Sequence, residues 1–136
     1  MTKSPRDRTL LGTLLIYTGL VAVILVLPIG TPHIRRGYLA EYRLPLGRRL
    51  LADVAVNAAL FAPIGWGVHR VARSYTRRQA VRILLAVGAA ALFSFAMEAV
   101  QLWLPGRYSS IVDVAVNTLG AALGAWAEAR LGRGRG

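Results

Sequence analysis

Four long apolar runs alternate with short basic clusters along the chain. The first, residues 10–29, is an uncharged stretch of 20 (LLGTLLIYTGLVAVILVLPI). At about 1.5 Å per helical residue it crosses a hydrocarbon core of about 30 Å. Three more runs follow at about 51–68, 83–104 and 111–128, all rich in Ala, Leu and Val. None alternates with the two-residue period of a strand. The pattern therefore predicts an all-α, polytopic membrane protein with four transmembrane helices in a single domain over 1–136, and not a barrel. The basic start MTKSPRDR resembles the head of a signal peptide. The run behind it is longer than the usual apolar core of about 7–15 residues and no small-residue cleavage site follows, so span one is expected to be retained.

Composition agrees with this reading. Apolar residues make up 55% of the chain and charged residues only 17%, below the roughly one quarter typical of globular proteins. The net charge of +11 would point to nucleic acid in a soluble chain. Here the basic residues fall between the spans, so the charge is read as topology and no nucleic-acid partner is expected. The first connection holds Arg35, Arg36, Arg43, Arg48 and Arg49, the second Arg70, Arg73, Arg77, Arg78 and Arg82, and the third Arg107 alone. The tails carry Lys3, Arg6, Arg8, Arg130, Arg133 and Arg135. With both tails and the second connection in the cytoplasm, 11 basic residues lie inside and 6 outside, which predicts cytoplasmic termini. Tyr38 and Tyr42 suit the first connection to headgroup depth as well as to a solvated loop.

The absence of cysteine excludes disulfides, thiolate metal sites and a cysteine nucleophile. His33 and His69 are too few and too distant for a zinc motif. No metal or cofactor is predicted.

The chain repeats itself. Asp53-Val-Ala-Val-Asn57 recurs as Asp113-Val-Ala-Val-Asn117, and Trp66 and Trp126 keep the same offset of 60. This predicts a duplicated helix hairpin, with spans two and four running in the same direction about an axis along the membrane normal.

Each later span also carries one polar stripe. Asp53 and Asn57 share a helix face at i, i+4, as do Asp113 and Asn117, while Ser94, Glu98 and Gln101 share a face of span three. Counted inward at about 1.5 Å per residue, Asn57, Glu98 and Asn117 all reach roughly 10 Å below the outer surface. A carboxylate facing lipid at that depth costs about 2.5–3.5 kcal/mol or more, so Glu98 is expected to face the bundle interior. Asn57, Gln101 and Asn117 are its expected neutral partners and Arg107 its nearest cation. Asp53 and Asp113 also suit the positive end of a helix dipole, and Ser109 or Ser110 is placed to cap span four. Glu98 and Asp113 are the candidate catalytic residues, yet no histidine or phosphate loop completes a constellation around them. Gly120 and Gly124 form a GxxxG motif that admits a close helix, within the chain or in a homo-oligomer. Pro63, followed by Gly65, is expected to kink or break span two.

These residues, in this order, resemble the VanZ-like family of small bacterial membrane proteins. Asn57-Ala-Ala-Leu-Phe61-Ala-Pro63-Ile-Gly65 is similar to that family's N-x-x-x-F-x-P-x-G stretch, and Glu98-Ala-Val-Gln101 to its E-x-x-Q pair. Arg107 with Asp113 through Gly124 resembles its R…D-[IV]-x-x-N-x-x-G-x-x-x-G block. The resemblance covers about residues 51–127. It implies a multi-pass protein of the bacterial plasma membrane and a link to glycopeptide (teicoplanin) resistance, from which the family takes its name.

Four roles follow for the polar cluster. Asp53, Asn57, Glu98, Gln101, Asp113 and Asn117 form an outward site for an envelope lipid or lipid-linked precursor, with Arg107, Arg48 and Arg49 at its rim for the phosphate. Alternatively Glu98 and Asp113 act as an acid/base pair on such a lipid, or Glu98 is a proton or cation site for transport. The fourth role is helix packing alone.

Overall fold

The computed structural model describes residues 5–27, 48–104 and 110–132. They form four helices: α1 (Pro5–Val26), α2 (Arg48–Ala72), α3 (Gln79–Gln101) and α4 (Ile111–Leu131). Each helix corresponds to one apolar run, with shifted ends. Hydrogen bonding carries α2 back into Arg48 and α3 back to Gln79, because a helix does not stop where its apolar run stops. α1 and α3 end about one turn before their runs do. Leu27 precedes Pro28 and Leu104 precedes Pro105, and a proline disfavours helical geometry at the residue before it. α1 opens on Pro5, whose fixed φ suits a first turn.

Three helices among the described residues are long and apolar enough to cross a membrane: Asp7–Val26, Leu51–Ala72 and Gln79–Gln101. α4 is as long but carries Asp113, Glu128 and Arg130. Large apolar side chains point outward, among them Ile16, Leu84, Leu92, Phe95, Leu119 and Leu123. His69, Ser94, Glu98, Gln101, Asn117 and Glu128 are buried instead. This distribution is unfavourable in water and suits a lipid surround, where outward leucines cost nothing and polar groups must find partners inside. The chain is thus built as a multi-pass membrane protein.

The interior is made largely of small residues. Ala86, Ala90, Ala121, Ala125 and Ala129 are fully or nearly buried, and the larger core side chains are Val21, Phe61 and Ile64, with Phe93 tilted against Phe61 at a centroid distance of 5.7 Å. α2 and α4 make the most extensive helix contact, and glycine permits it. A methyl group at Gly120 would overlap the carbonyl of Ala58, at Gly124 that of Ala62, and at Gly65 that of Ala121. Both glycine–alanine contacts on α4 advance by four residues on each helix, so α2 and α4 run parallel. The GxxxG motif is spent inside the chain.

α1 lies antiparallel to α2. Leu14 rests against Gly67, and the Tyr17 hydroxyl donates to the Leu60 carbonyl at 3.0 Å. α2 continues through Pro63 without interruption, so the expected break does not occur. Both parallel helices end alike, with Arg70 stacked over Trp66 and Arg130 over Trp126 at 5.5 and 5.2 Å from the ring centroids.

Candidate functional site

Polar side chains gather at both ends of the bundle. At the end where α3 finishes and α4 begins, Glu98 lies buried and its Oε2 accepts the backbone N–H of Ser110 at 2.6 Å. Ser110 has the extended geometry of a helix N-cap, with φ −134° and ψ 119°, but its side chain makes no capping bond. The cap expected of Ser110 is therefore replaced by a carboxylate from α3, while Ser109 lies outside the described residues. Glu98 stands where the unpaired N–H groups and positive dipole of α4 favour an anion.

The other stripe residues bond elsewhere than to Glu98. Asn117 donates from Nδ2 to Ser94 Oγ at 2.9 Å, tying α4 to α3. Gln101 donates from Nε2 to the Leu25 carbonyl at 3.1 Å, tying α3 to α1. Two of the neutral partners expected for Glu98, Asn117 and Gln101, thus hold neighbouring helices instead. Asn57 and Asp113 are half-buried and Asp53 is exposed. Asp113 lies within electrostatic reach of both Glu98 and Asp53. Asn117 Oδ1 is shielded from solvent and has no hydrogen-bond partner among the described residues. The stripe is consequently rich in acceptors. Arg107 lies outside the described residues, as do the side chains of Arg48 and Arg49.

The opposite end carries a cluster that the stripe pattern misses. Glu128 on α4 and His69 on α2 are 1% and 0% exposed, and His69 Nδ1 lies 2.5 Å from Glu128 Oε2. Arg70 Nη1 and Arg73 Nη2 both approach Glu128 Oε1, at 3.4 and 3.2 Å. One signal does point here. His69 stands 12 residues after Asn57 and Glu128 stands 11 after Asn117, so parallel spans bring the two to one level. No group of three or more His, Cys, Asp and Glu that would hold a metal ion is found among the described residues.

A bundle with outward-facing leucines, small-residue seams and inward polar side chains defines the class: a multi-pass helical membrane protein. The VanZ/LLP1 family profile matches residues 14–129, and the chain belongs to that family. The match begins within α1, upstream of the 51–127 region that carries the recognisable motifs, in keeping with the bonds from Tyr17 and to Leu25. No curated protein and no solved structure matches the chain.

Proposed function

We propose that this VanZ-like protein sits in the bacterial plasma membrane with four spans and both termini in the cytoplasm, and that its outward polar cluster engages the headgroup of an envelope lipid or lipid-linked precursor. α4 is the fourth span: its 21 residues reach about 31 Å at about 1.5 Å each, and it runs beside α2. The repeated Asp-Val-Ala-Val-Asn, the paired Trp–Arg stacks and the parallel course of α2 and α4 support a duplicated hairpin.

The observation that carries the headgroup reading is the unpaired, buried Asn117 Oδ1, one helical turn from Asp113, which lies within electrostatic reach of Glu98 and Asp53. A buried acceptor without a donor costs about 1–3 kcal/mol, and a ligand bearing hydroxyl or amine donors relieves it. In this proposal Arg107, which lies outside the described residues, supplies the charge for a phosphate. A link to teicoplanin resistance follows if the bound lipid is a cell-wall precursor.

Native mass spectrometry of the gently solubilised protein tests this. The wild type is expected to retain a phospholipid or isoprenoid-phosphate adduct that Glu98→Gln and Arg107→Ala lose at matched folding. Identical nonspecific lipids on all three rule the reading out. A second reading rests on the Ser110 bond: Glu98 caps α4 and serves packing alone. It predicts that Glu98→Gln lowers membrane abundance or melting temperature and leaves lipid retention as it was.

A further inference from the structure

At the arginine-rich end of the bundle, one carboxylate gathers three basic side chains. Glu128 Oε2 meets His69, and Oε1 meets both Arg70 and Arg73. Two guanidinium groups on one oxygen exceed the charge that a single carboxylate neutralises. Near a membrane surface, where the dielectric falls, that residual positive charge calls for a second anion. None stands in the nearby sequence, since residues 69–82 hold five arginines and no acid.

The hydrogen bonding points the same way. His69 Nε2, Arg73 Nε and Arg82 Nε are shielded from solvent and have no partner among the described residues. The two guanidine nitrogens are donors in every protonation state. With Nδ1 directed at a carboxylate, His69 leaves Nε2 as an acceptor when neutral and a donor when charged, and the P–OH and P–O⁻ groups of a phosphate satisfy either form.

The arrangement has two layers. His69 and Glu128 are hidden, while Arg70 and Arg73 are 42% and 33% exposed. The hidden carboxylate of Glu128 holds both arginines, which stay partly exposed. Arg73 is held further by position: its guanidinium covers Gly132, where a methyl group would overlap it, at the end of α4.

We propose that His69, Arg70, Arg73 and Glu128 form a second site that binds a phosphate group, with Arg70, Arg73 and His69 Nε2 as its ligands and Glu128 as the positioning residue. This site is separate from the outer cluster and does not depend on the lipid reading of that cluster. Its phosphate comes either from an anionic lipid headgroup or from a soluble phosphate compound.

The experiment uses the full chain in nanodiscs of mixed phosphatidylglycerol and phosphatidylcholine, analysed by native mass spectrometry after release, beside melting curves in millimolar inorganic phosphate. The wild type is expected to retain phosphatidylglycerol selectively, with about a tenfold loss in Arg73→Gln, the scale of one charge-assisted hydrogen bond. An adduct that Arg73→Gln loses and Glu98→Gln keeps belongs to this site, and one that Glu98→Gln loses and Arg73→Gln keeps belongs to the outer cluster. Selective stabilisation of the wild type by inorganic phosphate, without lipid retention, supports the same site and identifies a soluble ligand. Should Arg73→Gln fold poorly, Arg73→Lys keeps the charge but loses the planar fork, and partial loss is expected. Arg77→Gln is the charge-matched control on the exposed turn. Equal losses in Arg73→Gln and Arg77→Gln, or no change in lipid retention and phosphate response in Arg73→Gln, overturn the proposal and leave Glu128 as the centre of an internal ion cluster.

Discussion

At the scale of single residues, closeness matters more than size in this protein. A methyl group added at Gly124 meets the Ala62 carbonyl, whereas one added at Gly88 meets nothing within 4 Å. Gly124→Ala should therefore lower thermal stability in detergent by about 1–3 kcal/mol, the range for overpacking a close seam. Gly88→Ala should leave it within about 1 kcal/mol. Equal melting temperatures for the two variants would contradict the seam. The Asn117–Ser94 bond is tested by a double-mutant cycle with Asn117→Ala and Ser94→Ala. Coupling near 0.6 kcal/mol, and no more than about 1.7, is expected for a polar contact between membrane helices. Absent coupling would mean that the two side chains do not meet. Which residues are polar and share a face was legible in the sequence. Their partners were not, because Glu98, Gln101 and Tyr17 each bond to backbone, which carries no residue-type signal.

At the scale of elements, the consequential contact is the cap that α3 lends to α4. Glu98→Ala leaves the Ser110 N–H without its acceptor, and loss of a cap costs about 0.5–2 kcal/mol. Glu98→Gln keeps an acceptor oxygen and forfeits only the charge. Hydrogen exchange at the amides of 110–114 should rise in Glu98→Ala and much less in Glu98→Gln. Equal exchange in the wild type and Glu98→Ala would remove the cap. The sequence located α4 but assigned its cap to a serine, since Ser110 is a favourable N-cap residue locally and a carboxylate 12 positions upstream is not a local signal. Helix ends shifted for a related reason: hydropathy marks where lipid is tolerated, while proline and backbone hydrogen bonding decide where a helix stops. The parallel course of α2 and α4 was legible, because an even number of spans separates the repeated motifs.

At the scale of the whole molecule, the two polar ends face different chemistry. One end offers unpaired acceptor capacity around Asn117, Asp113 and Glu98, and the other offers unpaired donors around Arg73 and Arg82. About 16 Å of alanine, glycine and phenylalanine separates them, taking the 11 residues from Asn117 to Glu128 at about 1.5 Å each. The proposed orientation rests on charge, since an arginine-rich hairpin is expected to stay in the cytoplasm. The chain has no cysteine, so single substitutions read this directly. Ser74→Cys lies in the turn between α2 and α3, and Trp103→Cys lies beyond the end of α3; both positions are exposed. In intact cells a membrane-impermeant thiol reagent should label Trp103→Cys and spare Ser74→Cys, and in inverted vesicles the pattern should reverse. The opposite labelling would turn the protein over. The acceptor-rich cluster would then face the cytoplasm, out of reach of any outward lipid headgroup, and the phosphate site would face the cell exterior.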